Sequence, residues 1–309
     1  MDLTYLLWLQ DFREATGNIL TPFMDIVSLI AVRVIILVPF FVYWCISKRN
    51  GLFMILSCRI SSFINQISKL AVCAYRPWIR DTRIIPAGDA VKSAGGYSFP
   101  SGHTMDSAPV YAGLAVLTKK RAKWFAYLCG LMIILTALSR NYLGVHTPQD
   151  VVVGSILGIF SVYIASRMMA HPERENIYML MGIVISVAGL VYVMMKSYPM
   201  DYEAGKLLVD PAKMTPYGYG ACGAMLAFIA GRYIERKYVN FTETGFTVKG
   251  VILSLIGVAI YGYGLAYLKV KMKAVFGADW GRFAAEAIPV FFAVAIWPIV
   301  LKLFAGKKA

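Results

Sequence analysis

The sequence predicts an all-α fold, a multi-pass transmembrane helical bundle of about nine spans, on three observations. Of 309 residues, 59% are hydrophobic and only 16% charged, and the mean hydropathy is +0.62; soluble domains carry about 25% charged residues. The apolar stretches run continuously, without the alternation of a membrane barrel. Several of them reach the roughly 20 apolar residues that a spanning helix needs. Aromatic residues at 14% exclude a disordered chain. A net charge of +14 suits a nucleic-acid binder, but long apolar runs do not, so no nucleic-acid partner is expected.

The first fifteen residues are too short and too polar to span. Leu3, Leu6, Leu7 and Leu9 with Tyr5 and Trp8 predict an interfacial amphipathic helix within residues 1–18. A basic start and a cleavage site are missing, so it does not read as a signal peptide. Spans are then expected at about 20–46, 52–75, 103–118, 124–138, 148–169, 177–196, 218–234, 248–268 and 284–304. Basic residues divide almost evenly between the two sets of connections. The set with Lys48, Arg49, Lys119, Lys120, Arg121, Lys123, Arg236, Lys237, Lys302, Lys307 and Lys308 lies in shorter, denser loops. Positive-inside reasoning therefore puts that set and the C-terminus in the cytoplasm, with the N-terminus outside. The opposite set includes Lys269, Lys271, Lys273 and Arg282, which can attract anionic headgroups or can mean that the last two spans are bounded differently. Five cysteines, Cys45, Cys58, Cys73, Cys129 and Cys222, lie in or beside spans without paired spacing. They read as small buried hydrophobes.

Chemistry gathers at the outer ends of spans two to five. Lys69 and Arg76 are seven residues apart, which on a continuous helix puts both cations on one face, about 10 Å apart along the axis. Snorkelling at a membrane boundary explains such a pair equally well. Ser101-Gly102-His103 precedes an apolar run: Ser101 is a suitable N-cap, Gly102 admits a ligand close to the backbone, and the exposed N–H groups of a helix start cradle phosphate. His103 there can exchange a proton near neutral pH; an incidental histidine at a capped helix start is the bland alternative. Arg140 ends the fourth span, His146 sits at the lip of the fifth, and Asp150 follows four residues later, within reach of one imidazole nitrogen. Thr147 and Asp150 also match a capping box, which needs no chemistry. Asp25, Arg33 and Asp106 are polar groups at membrane depth, expected to be paired structurally. Glycines 218, 220, 223, 250, 257, 262 and 264 are expected to allow close helix packing.

Lys69-x6-Arg76-Pro77, Pro100-Ser101-Gly102-His103 and Ser139-Arg140-x5-His146-x3-Asp150 together resemble the signatures of the type 2 phosphatidic acid phosphatase superfamily, over about residues 20–170. The resemblance implies a six-helix phosphatase core at 19–196, followed by a three-span C-terminal extension at 197–309. It implies His146 as nucleophile, His103 as general acid, Asp150 as orienter of His146, and Lys69, Arg76, Ser101, Gly102 and Arg140 as phosphate ligands. It further implies that no metal or other cofactor is used. The expected partners are a phosphorylated lipid substrate and membrane lipids, with no obligate protein partner evident. The site is expected on the extracytoplasmic face, at headgroup depth. A glucose-6-phosphatase-like sugar phosphatase, a lipid phosphotransferase, and a phospholipid transporter or scramblase with a vestigial site are the competing functions.

Overall fold

The computed structural model describes residues 2–304; Lys307 and Lys308 of the basic C-terminus lie outside the described residues. Twelve α-helices follow one another: α1 (Asp2–Ala15), α2 (Thr21–Leu29), α3 (Val38–Phe41), α4 (Lys48–Val72), α5 (Pro77–Arg80), α6 (Gly102–Thr118), α7 (Lys123–Tyr142), α8 (Pro148–Ala170), α9 (Glu175–Met195), α10 (Thr215–Ile234), α11 (Val248–Phe291) and α12 (Trp297–Phe304). Short π and 3-10 turns join α2 to α3 and α11 to α12. The strands among the described residues are a two-residue antiparallel pair, β1 (Tyr202–Glu203) and β2 (Lys206–Leu207).

Among the described residues, five helical segments are long and apolar enough to cross a membrane: Thr21–Ile46, Lys123–Tyr142, Pro148–Ala170, Pro172–Met195 and Val248–Phe304. The last reverses at Gly277 (φ 76, ψ −173), a conformation that L side chains rarely adopt, and so contains two of the expected spans. Its first arm runs to residue 276, not 268. Lys269, Lys271 and Lys273 therefore occupy its final helical turns and not an outer loop. Gly281 keeps the hairpin tight, since a methyl there would sit 2.6 Å from the Met272 carbonyl oxygen.

Helices α4, α6 and α10 were expected as spans but fall short on length or apolarity. Helix α4 carries Lys48, Arg49, Arg59 and Lys69, α6 has only 17 residues, and α10 spends its length on small and tyrosine residues, most of them buried. Helices packed inside a bundle need no lipid-facing apolar surface, so hydropathy underestimates them.

The chain forms two compact units: one of residues up to Ile36, Ile64–Val162 and Ser197–Met214, the other of Leu37–Phe63, Tyr163–Lys196 and the chain from Thr215 on. In the first unit α6 lies against α7, and α1 and α2 also pack on α7. Gly154 and Gly158 bring α8 onto the start of α6: a methyl at 158 would lie 2.8 Å from Ala108 Cβ, and one at 154 only 3.0 Å from the Ser101 carbonyl oxygen. Helix α1 is docked as well as amphipathic. Leu6 and Arg13 are buried, and the Arg13 guanidinium donates to the carbonyls of Tyr142 (3.2 Å) and Ile85 (2.7 Å). Its opposite side exposes Trp8 and Phe12, rings stacked along the helix.

The second unit is built round an aromatic core of Phe40, Tyr43, Trp44, Phe228, Tyr261 and Trp297. Trp44 Nε1 donates to the Ala293 carbonyl at 3.0 Å. Here the expected glycine packing is present in part: Gly223 faces Phe283 and Gly257 faces Trp297 too closely for any side chain, whereas a Cβ on Gly262 would meet nothing within 4 Å and one on Gly264 only Pro289 at 4.0 Å. Fully buried Glu235 is paired with Lys48 and Arg232, each at 2.6 Å, the pairing that a buried charge requires.

Of the polar groups at membrane depth, Asp25 accepts from the Asp89 N–H at 3.4 Å, and Asp106 lies within electrostatic range of Lys69. Arg33 departs from the expectation of pairing. It is exposed in the π turn after α2, where the bulge turns its long side chain outward, and no ion pair holds it among the described residues.

Candidate active site

All eight residues singled out by motif fall in the first unit. Lys69 belongs to the last turns of α4. The helix does not continue to Arg76, contrary to the expectation of one shared helical face. Cys73 takes a left-handed conformation (φ 53), and Arg76 is extended (φ −66, ψ 153), as the residue before a proline should be. Lys69 and Arg76 therefore reach the site from different backbone. The Lys69 ammonium donates to the carbonyls of Tyr97 (3.0 Å), Ser98 (3.2 Å) and Pro100 (2.7 Å). Those three bonds use every donor a lysine has and fix the segment leading into α6.

Arg76 is spread across the site. Nε donates to the Gly96 carbonyl (3.0 Å), Nη2 to Gly95 (3.2 Å), and Nη1 to Val145 (2.9 Å). Nη1 also lies 2.8 Å from Nε2 of His146. A guanidinium only donates, so this approach requires Nε2 to be the bare nitrogen and leaves the proton on Nδ1. Nδ1 in turn is 3.4 Å from Asp150 Oδ2 and 3.4 Å from Ser98 Oγ.

His146 is held by the way α7 ends. Gly144 (φ 72) closes a C-terminal cap in which its N–H bonds the Asn141 carbonyl and the Val145 N–H bonds that of Arg140, the pattern that favours glycine. Asn141 Nδ2 donates to the His146 carbonyl at 2.9 Å. Asp150 forms the capping box and also stands 3.4 Å from His146 Nδ1. The capping box is reciprocal: Oδ2 accepts from the Thr147 N–H (2.8 Å), and Thr147 Oγ1 accepts from the Asp150 N–H (3.3 Å). The same oxygen faces His146 and takes the Ser98 hydroxyl at 2.6 Å.

At the start of α6, Ser101 occupies the N-cap position, yet its side chain makes no capping bond. This corrects the capping expectation. The Ser101 N–H goes instead to the Asp150 carbonyl at 2.9 Å, tying the starts of α6 and α8 together, while the hydroxyl is buried without a partner. Gly102 is open, with nothing nearer a hypothetical Cβ than 3.9 Å. His103 is buried in the first turn of α6, within electrostatic range of Arg140, His146, Arg76 and Lys69. Arg140 is fully buried: Nη1 donates to Ser28 Oγ at 2.5 Å, whereas Nε and Nη2 have no partner.

These unfilled groups define what the site can accept. Two Arg140 donors and the Ser101 hydroxyl are buried and unpaired, at a cost that a tetrahedral oxyanion would relieve. Burial, then the charges of Arg76, Lys69 and Arg140, hold the His146 imidazole well below the usual histidine range, against a smaller opposing effect of the Ser98 backbone. Burial also brings Arg76 down to about 10, with Asp150 opposing, so it stays charged at neutral pH. Among the described residues no group of three or more His, Cys, Asp or Glu side chains gathers.

Ser98, Asn141 and Ser28 were not identified by motif. Ser98 lies three residues before Ser101 and looks like an ordinary loop serine; its partners are 48 and 52 residues away. The outer loop before α10 belongs to this same unit. The Tyr75 hydroxyl bonds the Asp201 carboxylate, and Met214 sits against Gly96, whose carbonyl holds Arg76.

Comparison with known proteins gives a consistent picture. The PAP2 superfamily model matches residues 50–174. Phosphatidylglycerophosphatase B of Bacillus subtilis is 30% identical over 122 residues, 37% of this chain and 56% of that protein. Undecaprenyl-diphosphatase of Sulfolobus acidocaldarius is 28% identical over 133 residues, 42% of this chain and 61% of that protein. Glucose-6-phosphatase catalytic subunit 1 of Haplochromis nubilus is 24% identical over 185 residues, 52% and 53% of the two chains. The chain thus spans about half the length of these curated relatives. No solved structure matches it.

Proposed function

We propose that this chain, whose residues 50–174 belong to the PAP2 superfamily, is an integral membrane phosphatase that hydrolyses a lipid phosphomonoester or diphosphate through a phosphohistidine. The observation that carries this reading is the placement of His146: buried, with Nε2 2.8 Å from Arg76 Nη1 and Nδ1 3.4 Å from Asp150 Oδ2. A protein that only binds phosphate uses cations but has no use for an oriented imidazole. Relatives named for phosphatidylglycerophosphate, undecaprenyl diphosphate and lipid A support a lipid substrate.

In this mechanism, phosphate oxygens take the free donors of Arg140 and the hydroxyl of Ser101, and compete with backbone carbonyls for those of Arg76 and Lys69. Gly102 admits the phosphate against the start of α6. Once phosphate draws the Arg76 Nη1–H away from Nε2, the freed lone pair of His146 attacks phosphorus in line, the P–O bond to the lipid breaks, and His103 protonates the departing oxygen. Water then attacks the phosphohistidine, giving a proton to His103 as the P–N bond returns its electron pair to Nε2. The cations neutralise the charge that a metal neutralises in other phosphoryl-transfer sites. Positive-inside reasoning puts the site on the extracytoplasmic face.

Phosphate release by purified protein from phosphatidic acid, phosphatidylglycerophosphate, undecaprenyl diphosphate and glucose 6-phosphate tests the proposal. Turnover of a lipid substrate that persists in chelator and disappears in His146→Ala is expected. Near wild-type turnover by His146→Ala, or activity that needs added magnesium, overturns it. The second reading, a sugar phosphatase, draws on the match to glucose-6-phosphatase, which spans 185 residues; preference for glucose 6-phosphate selects it.

A further inference from the structure

We infer that Ser98 is a positioning residue for the nucleophile: its hydroxyl holds the Asp150 carboxylate and shares the Nδ1–H of His146. The inference rests on the phosphatase reading above. The direct approach of His146 Nδ1 to Asp150 Oδ2, 3.4 Å, is long beside the roughly 2.7–2.9 Å of a charge-assisted bond. Ser98 Oγ stands at the same 3.4 Å from Nδ1, so neither group holds the ring alone and the two share it. Ser98 Oγ closes the triangle: it donates to Asp150 Oδ2 at 2.6 Å, which leaves its oxygen able to face Nδ1 as an acceptor at 3.4 Å. Oδ2 also accepts the Thr147 N–H at 2.8 Å, so the carboxylate is pinned from two sides and cannot turn from the histidine.

Ser98 can serve this way because it is itself immobile. It is 1% exposed, its N–H bonds the Ala74 carbonyl at 2.7 Å, and its carbonyl accepts from Lys69 Nζ. Lys69 clamps Tyr97 and Pro100 on either side as well. Part of what Lys69 does is thus transmitted through Ser98 to the nucleophile. As Nε2 attacks phosphorus, positive charge develops on the imidazole and strengthens Nδ1–H as a donor. The Ser98 oxygen and the Asp150 carboxylate receive it together, and no proton leaves Ser98.

Ser98→Ala, Ser98→Thr and His146→Ala test the role on a lipid phosphate that the wild-type protein hydrolyses. Ser98→Ala is expected to lower kcat by roughly 10- to 100-fold, the worth of one hydrogen bond to a charged group. KM and inhibition by vanadate should change by less than about threefold, because the phosphate ligands stay in place. Ser98→Thr, which keeps the hydroxyl, should recover most of the rate. Unchanged kcat in Ser98→Ala beside an inactive His146→Ala overturns the role of Ser98 and leaves the phosphatase reading intact. A KM increase and loss of vanadate binding equal to the loss in kcat mark a collapsed pocket and also overturn it, as does Ser98→Thr behaving like alanine at an unchanged Tm. If Ser98→Ala does not fold, Ser98→Cys, with its weak S–H donor, carries the same expectations. Failure of the phosphatase reading looks different: no substrate is hydrolysed by the wild type, or His146→Ala is as active.

Discussion

On the proposed mechanism the imidazole of His146 reacts only while Nε2 carries no proton, so its proton affinity is expected to set the acid edge of activity. Burial and the surrounding Arg76, Lys69 and Arg140 hold its folded-state pKa below the usual value, which is about 6.5. The unfolded chain therefore binds this proton at a higher pH than the folded one. The stabilisation is complete above about pH 6.5 and is lost as pH falls through the folded value. We predict that the midpoint of His146, followed by imidazole NMR, and the acid limb of kcat/KM assigned to it both lie below pH 6.5. A midpoint at or above that value contradicts the electrostatic account. None of this is legible locally: the motif shows a histidine beside an aspartate, whereas the bare nitrogen is dictated by Arg76, 70 residues away.

Among the elements, the contact between α6 and α8 brings Ser101 and Gly102 beside His146 and Asp150, the proposed phosphate cradle and nucleophile, and it rests on Gly154. A methyl there would overlap Thr104 and sit 3.0 Å from the Ser101 carbonyl; Ser101 is also bonded to Asp150. Gly154→Ala is expected to destabilise the protein by about 1–3 kcal/mol through overpacking and to lower kcat. Gly130, in α7, has nothing within 4 Å of a hypothetical Cβ, so Gly130→Ala should keep or raise Tm, alanine being favoured in helix interiors by about 1 kcal/mol. Melting of both variants in one detergent checks the pair. The helical elements were legible because apolar periodicity is local. Helix ends were less so: α4 stops at Cys73, whose left-handed backbone has no composition signal, and the arm before Gly277 carries three lysines past the expected boundary.

Across the whole molecule, the excess of positive charge has several distinct destinations. Lys69, Arg76 and Arg140 are buried in the candidate site, Lys48 and Arg232 neutralise buried Glu235, and Lys269 and Arg282 face Glu286. On the orientation we propose, the site's cations fall where the positive-inside rule disfavours them, which accounts for the nearly even count. The direction we propose is tested with single cysteines in a cysteine-free background. Lys206→Cys should react with an impermeant thiol reagent in intact cells, and Lys120→Cys only after permeabilisation. The reverse pattern overturns the orientation.

Composition and hydropathy by themselves determined the class, an all-α integral membrane protein, because lipid forces backbone hydrogen bonds to close within helices. Motif spacing determined which side chains to watch, because the residue types that meet phosphate are few. Only the tertiary structure decided how several of those side chains are placed: Lys69 clamping carbonyls, Arg76 against His146, Ser101 with a free hydroxyl. It alone brought Ser98 to the triad and Arg13 to the end of α7. Such pairings span from about 30 to 129 residues of chain. They depend on how the helices pack, and local patterns of side-chain chemistry do not encode that packing.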